Sequence, residues 1–336
     1  MKISILIPTK NRLSILRETL YNIYYVNKLP KEDFEVIVSN DGDDDLLVLY
    51  DEFPFDNLKI VKNTHKPGAA GNRNNAADYA QYDLLLFLDD DILITENFLE
   101  RVVDIRKSYC NVIISHKAFF SQAYINKAHE TPFGIYRLNL INSIMPPETI
   151  KEFDEDGLYE VNFTISWALS VEKNVFYKVG KFDENFQYAG WEDAEFAFRT
   201  FNNGVRLLYD VKNHIFHNET DRLILDNWLK RQEEDFKTLV QLCKKYPIFQ
   251  TYSSWVSNSP LKKSDSKEVK LLKLKKIFCS FPLVYDFIHF LAIYGEKIKL
   301  PDSFLFKFYN ALWLGATYRG FREAYKEIFK NKKHED

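Results

Sequence analysis

The first part of the chain alternates short apolar runs with longer stretches of helical period. Residues 2–8 read as a buried strand and 13–26 as a helix. Residues 34–39 and 58–61 read as further strands and 68–80 as a helix. Residues 83–88 form a strand pattern that runs straight into three aspartates. Strands alternating with helices predict βαβ units and a mostly parallel sheet, an α/β architecture whose functional groups gather at the carboxyl ends of the strands. Ser39-Asn40-Asp41-Gly42 and Asp89-Asp90-Asp91 occupy such ends.

The pattern loosens over 118–163, which carries Pro132, Pro146 and Pro147 as an insertion or acceptor loop would. Residues 161–169 return to an extended pattern. A helix over 191–203 stops at Gly204, followed by a short strand over 205–209. Beyond about residue 220 the period is helical: 223–246 reads as one long helix and 253–266 as a polar linker with Pro260. Residues 277–294 are almost continuously apolar but are interrupted by Pro282, Asp286 and His289, and a membrane span needs roughly 20 apolar residues with few charges. A packed helix or a helix lying in the membrane plane is expected instead. Seven lysines (262, 263, 267, 270, 273, 275 and 276) precede it against Asp265 and Glu268. Such a run suits either an anionic membrane surface or a solvated lysine face.

Composition narrows the class. The 336 residues are 46% hydrophobic and 28% charged, enough for one sizeable domain and an appendage. A net charge of −3 gives no reason to expect nucleic acid. The three cysteines lack CxxC or CxxH spacing, which argues against a zinc site or a disulfide framework and for a reducing compartment. MKISILIPTKNR has no long apolar region or small-residue cleavage site, so it is not read as a signal peptide. The expected location is the cytoplasm, with peripheral attachment to the inner face of the cell membrane as the variant that the tail allows. Self-association is left open.

Four groups carry chemistry. Three adjacent carboxylates repel one another unless a cation is near, and hard divalent ions favour carboxylate oxygen together with phosphate. In an extended segment Asp89 and Asp91 would share one side and Asp90 the other. The plain alternative is an acidic turn capping the next helix. HKPGAAGNRNN, residues 65–75, is a small-residue loop opening a helix, with Arg73 placed to meet phosphate or base. Gly190-Trp191-Glu192-Asp193 puts two acids beside an aromatic at a helix start, where one could act as a general base or both could simply favour the helix dipole. His214 and His217 follow, and a neutral imidazole could complete an aspartate-bound metal.

Taken in order, ISILIPTKNR, VSNDGDDD, PGAAGNRNNAAD, FLDDDI, FYKVGKFDENF and GWEDAEFAFRTFNNG resemble family 2 glycosyltransferases, from Lys2 to about Glu219. The resemblance implies a GT-A fold, Rossmann-like, over residues 1–220, with a nucleotide-sugar half (1–117), an acceptor half (118–220) and a helical region over 221–336. It implies inverting transfer of a hexose from a nucleotide-diphosphate sugar, UDP-sugar favoured, to a glycan, lipid-linked or protein hydroxyl in bacterial polysaccharide or glycoconjugate synthesis. Pro8, Thr9 and Arg12 would lie along the nucleotide, Asp41 on the base, and Arg73 near base or diphosphate. Asp89, Asp90 and Asp91 match the DXD stretch, Asp91 holding Mn²⁺ or Mg²⁺ with Asp89 and His217, and Asp89 or Asp90 nearer the ribose. Asp193 would be the base with Glu192 beside it, and Trp191 and Gly190 would meet sugar or acceptor. NDGDDD departs from the more usual DDGS, since Asn40 stands in place of an acid. Residues 119–159 match no pattern, and acceptor choice is expected there.

Other classes stay in view. A nucleotidyltransferase would show a glycine-rich first loop, absent from Pro8-Thr9-Lys10-Asn11-Arg12. A non-catalytic sugar-binding module would not need Glu192-Asp193. A retaining or peptide-directed transferase is the alternative within the enzyme class.

Overall fold

The computed structural model describes residues 1–142, 157–188 and 190–330, so Pro146, Pro147 and the rest of 143–156 within the expected acceptor loop lie outside the described residues. The chain runs β1 (Ile3–Thr9), α1 (Leu13–Tyr25), β2 (Phe34–Asn40), α2 (Val48–Glu52), β3 (Leu58–Lys62), α3 (Ala69–Asp78), β4 (Leu84–Leu88), β5 (Ile92–Ile94), α4 (Phe98–Ser108) and β6 (Val112–Phe120). After α5 (Gln122–Ala128) and α6 (Pro132–Asn142) come β7 (Leu158–Val161), β8 (Ala168–Glu172), α7 (Lys173–Lys178), α8 (Glu192–Asn202) and β9 (Arg206–His217). The remainder is helical: α9 (Leu225–Lys245), α10 (Ser253–Val256), α11 (Lys267–Ser280), α12 (Pro282–Lys297) and α13 (Asp302–Tyr325).

The described residues form two compact units. The first takes 1–124, 157–187 and 192–219, and the second takes 125–142, 188, 190–191 and 220–330. The helical region expected from residue 221 lies in the second unit, which also recruits α6. Phe133 and Tyr136 of α6 pack with Trp228 of α9 and Tyr309 of α13, an aromatic cluster that periodicity alone does not announce.

In the first unit the strand order is β3-β2-β1-β4-β8-β6-β9-β5, with β7 also on β9. The side chains of β1, β2 and β4 alternate between two cores. Ile3, Ile5, Ile7, Val36, Val38, Leu84 and Leu86 pack with α1 and α4, whereas Leu6, Ile37, Leu85 and Phe87 pack with α3, α7 and α8. Burial on both faces explains why these strands read as continuous apolar runs. The sheet is mixed rather than mostly parallel. β3, β2, β1 and β4 are parallel, whereas β8 is antiparallel to both β4 and β6, and β5 and β7 are antiparallel to β9. The extended pattern over 161–169 therefore divides. β7 ends at Val161 on β9, and β8 begins at Ala168 between β4 and β6, so no single strand can serve both places.

β9 is longer than the short strand expected over 205–209. Its register with β6 steps from His116↔Asp210 to Ala118↔Ile215, leaving three extra residues in β9. The bulge breaks the period-2 pattern, which hides the continuation to His217. Buried Asp210 holds it: Oδ1 accepts from the N–H groups of Lys212 and Asn213, each at 3.0 Å, and both oxygens pair with Arg101. Asp210→Ala removes these acceptors and leaves Arg101 without its anion. It is expected to cost roughly 3–5 kcal/mol, read as a lowered thermal midpoint; an unchanged midpoint would show that the bulge stands without Asp210.

Candidate functional site

The parallel strands β1, β2 and β4 end side by side. Thr9 pairs with Asn40, and the β1–β4 register carries Thr9 on to the level of Asp90. Asp90 and Asp91 are buried and form a tight turn between β4 and β5, with the Ile92 N–H donating to the Asp89 carbonyl at 3.3 Å. The turn overrides the alternation expected of an extended segment, so Asp90 and Asp91 converge on one cation while Asp89 points to another. Arg12 donates from Nη1 to Asp90 (2.5 Å) and from Nη2 to Asp91 (2.9 Å). Thr9 Oγ1 donates to the second Asp90 oxygen at 2.7 Å, and Thr19 Oγ1 caps the Asp90 carbonyl. Burial raises the Asp90 pKa above the usual carboxylate range; Arg12 opposes this and Asp91 adds to it.

Arg73 is held in the same way from the other side. It is 4% exposed, donates to Asp89 at 2.7 Å and to Glu192 at 3.0 Å, and lies over the Phe182 ring. Burial disfavours its charge, but Asp89 and Glu192 outweigh that and raise its pKa, so Arg73 stays a cation between two acids. The structure thus places Arg12 and Arg73, both expected along the donor, against the acidic residues themselves. The helix that carries Arg73 is buried along Ala70–Ala77. Its asparagines have local tasks: Asn72 donates to the Thr9 carbonyl, Asn74 to the Phe182 carbonyl and Asn75 to Ser39. Gly71 lets this helix pass, since a Cβ there would lie 2.0 Å from the Lys66 carbonyl oxygen.

Asp41 stands past the end of β2, accepting from Asn63 (2.7 Å), Lys10 (3.1 Å) and the Gly68 N–H (3.1 Å). Asn40 explains its own departure from the family pattern. Its Oδ1 accepts from the Gly42 N–H while its Nδ2 donates to the Asp44 carbonyl, a second bond that an aspartate could not make. Pro8 belongs to β1 and pairs with Ser39 in register.

The structure separates the two histidines. β5 pairs antiparallel with β9, Ile92 opposite His217, and the Asn218 N–H donates to the Asp91 carbonyl at 2.8 Å. His217 Nδ1 thereby comes to 3.5 Å from Asp91 Oδ1, with Trp167 edge-on to its ring. Both ring nitrogens are buried without a hydrogen-bond partner. Burial works against an imidazolium, yet Asp91, Glu219 and Asp89 prevail and raise its pKa. His214 packs instead against Phe119 and Phe216. Ligand atoms of Asp91, His217 and Glu219 all lie within 4.8 Å of one another. Glu219 was not singled out from the sequence. The signal was its place in His217-Asn218-Glu219, two residues on from the histidine, and it acquires meaning only once β9 lies beside β5. Two carboxylates and an imidazole with unused nitrogens fit a divalent cation.

On α8 the two acids differ. Glu192 is buried against Arg73, whereas Asp193 is half-buried and caps the Ala194 N–H at 2.8 Å. Gly190 and Trp191 belong to the second unit. Gly190 has φ +154°, and a Cβ there would meet Asp235 Oδ1 at 2.3 Å, so a packing constraint alone accounts for the glycine.

The sequence profile described as "Glycosyl transferase family 2" matches residues 4–159. A chondroitin synthase of Escherichia coli is 25% identical over 296 residues, 78% of this chain and 41% of that protein. Over these residues the chain is a glycosyltransferase of the family 2 type. It spans about half or less of the length of the first curated relatives it matches. Among solved structures, the mannosyltransferase PcManGT from Pyrobaculum calidifontis, in complex with GDP-Man and Mn²⁺, superposes with TM-score 0.57 at 14% identity, covering 96% of this chain and 88% of that one. GalNAc-T7 with UDP, GalNAc and Mn²⁺ superposes with TM-score 0.55 at 15% identity, covering 82% and 54%. The mixed sheet with its flanking helices is the GT-A fold of these glycosyltransferases, followed here by a helical C-terminal region.

Within this family 2 site, Arg73 is the cation on which Asp89 and Glu192 both depend. Arg73→Met leaves two acids facing each other without it and is expected to cost about 3–5 kcal/mol of stability, measured by denaturant titration, with Arg73→Lys recovering part of the loss. Equal stability of Arg73→Met and the parent would mean that the acids are held by other means.

Proposed function

We propose that the chain transfers a sugar from a nucleotide-diphosphate donor to an acceptor hydroxyl in one inverting displacement, in the making of a bacterial polysaccharide or glycoconjugate. The observation that carries this reading is the meeting of Asp91, His217 and Glu219 one turn away from the Asp89–Arg73–Glu192 bridge. A cation site and an acidic helix start at the carboxyl ends of one sheet are what such a transfer requires. The solved relatives that carry a nucleotide or nucleotide-sugar together with Mn²⁺ lend support. UDP-sugar is the donor class we favour, with Asp41 held by three donors as the candidate reader of the base.

Asp91, His217 and Glu219 would hold the divalent cation, which when bound supplies positive charge against the donor diphosphate. The imidazole favours Mn²⁺ over the harder Mg²⁺. Arg12, tied to Asp90, positions Asp91. Arg73, taken up by two acids, aligns Asp89 and Glu192 rather than meeting the leaving group directly. We assign the acceptor proton to Asp193, half-buried in the first turn of α8 beside Glu192. The acceptor oxygen then bonds to the anomeric carbon as the bond to the diphosphate breaks.

Asp193→Asn is expected to lower transfer by about 10²–10³ while leaving donor binding, followed by calorimetry, unchanged. Transfer that survives this change but is lost in Glu192→Gln would move the base to Glu192. A product with retained anomeric configuration by NMR would overturn the single displacement. Asp91→Asn, His217→Ala and Glu219→Gln should each weaken Mn²⁺ binding, read by electron paramagnetic resonance without donor, by about tenfold or more. Full Mn²⁺ affinity in all three would place the cation elsewhere.

A further inference from the structure

Two consecutive helices of the second unit turn apolar side chains outward. On α11, Leu271, Leu274 and Phe278 follow one another at +3 and +4. On α12, Leu283, Phe287, Phe290 and Tyr294 follow at +4, +3 and +4, so each set lies along a single helix face. Phe281 sits at the 81° elbow between the helices. Leu283 is 87% exposed and the other seven side chains 50–60%. The opposite faces are already used. Cys279, Tyr285 and Ala292 are buried, and Gly315 of α13 lies so near α11 that a Cβ there would be 2.6 Å from the Cys279 carbonyl oxygen. Turning either stripe inward would break that packing.

The lysines show what covers the stripes. Lys273 and Lys276 point inward, Lys273 to Asp265 at 2.7 Å and Lys276 to Asn258 at 3.0 Å, and both are buried. Inward lysines leave the outer face of α11 to Leu271, Leu274 and Phe278. Lys267, Lys270 and Lys275 border that stripe, exposed Lys262 and Lys263 precede it, and exposed Lys297 and Lys299 follow the second one. A second copy seated on this face would set these lysines against its own. Anionic headgroups complement them, and aromatic and leucine side chains enter the boundary between headgroup and acyl chain. No single helix among the described residues is long and apolar enough to cross a membrane; α11 and α12 reach that length and hydropathy only together, across the 81° elbow, and their opposite faces are packed within the second unit, so we assign the outer faces to attachment in the plane.

We propose that the outer faces of α11 and α12 are a docking surface for an anionic lipid membrane. The proposal is independent of the transfer chemistry, because every residue it uses lies in the second unit. The full chain, sedimented with phosphatidylcholine vesicles containing phosphatidylglycerol, is expected to pellet with them, to stay largely in solution with phosphatidylcholine alone, and to release as salt is raised. Phe287→Glu/Phe290→Glu should lower partitioning by about a hundredfold, and Lys267→Gln/Lys275→Gln by about tenfold. All four side chains are at the surface, so circular dichroism and the thermal midpoint should match the parent. Three outcomes overturn the proposal: no association with anionic vesicles, equal partitioning of parent and variants, or a concentration-dependent dimer that Phe287→Glu/Phe290→Glu dissolves in the absence of lipid binding. The last would assign the face to a second copy.

Discussion

Three consecutive carboxylates at the end of a buried strand are tolerable only with positive charge built around them. Arg12 from the β1–α1 loop takes Asp90 and Asp91, and Arg73 from α3 takes Asp89 and carries the link on to Glu192. Each guanidinium spends its planar fork on two different acids, a geometry that a lysine's point charge does not reproduce. The loop after β1, helix α3, the turn after β4 and the start of α8 are thereby tied together at one place. The site is therefore part of what holds the first unit in register.

The cation cluster adds a longer-range constraint. Asp91 and His217 are far apart in sequence and meet because β5, only three residues long, pairs with the end of β9. β9 reaches that end only after the bulge that Asp210 and Arg101 hold open. Phe98, at the start of α4, stacks edge-on to buried His116, whose pKa burial pushes down to about 4, so that ring stays neutral beside Asp210. A neutral structural histidine and a histidine of raised pKa thus lie on neighbouring strands, distinguished by the acids around them.

The second unit treats charge differently. Its helices bury lysines against neutral oxygens and one aspartate, and leave rings and leucines outside. Seven lysines in a run look alike in sequence; two of them are structural and the rest border an apolar surface. The apolar run over 277–294 breaks where Pro282 starts α12, because proline lacks the N–H that a continued α11 would need and suits a first helical turn.

The strands β1 to β4, the helices α1 and α3, the acidic strand end and the helical tail were legible in the sequence, because burial on two sheet faces and helical periodicity are local properties; the GT-A class came with the family resemblance. Asp91, His217, Glu192 and Asp193 could be singled out one by one. The pairing of Asp91 with His217 came from the family resemblance and not from periodicity, since it depends on strand order and on a bulge that no period reveals. Tertiary structure alone decided that Arg12 and Arg73 serve the acids, that Glu219 joins Asp91, that His214 turns to Phe119, and that Lys273 and Lys276 face inward. In each case a long-range contact chose among side chains that were locally equivalent, and such contacts exist only once the chain has closed on itself.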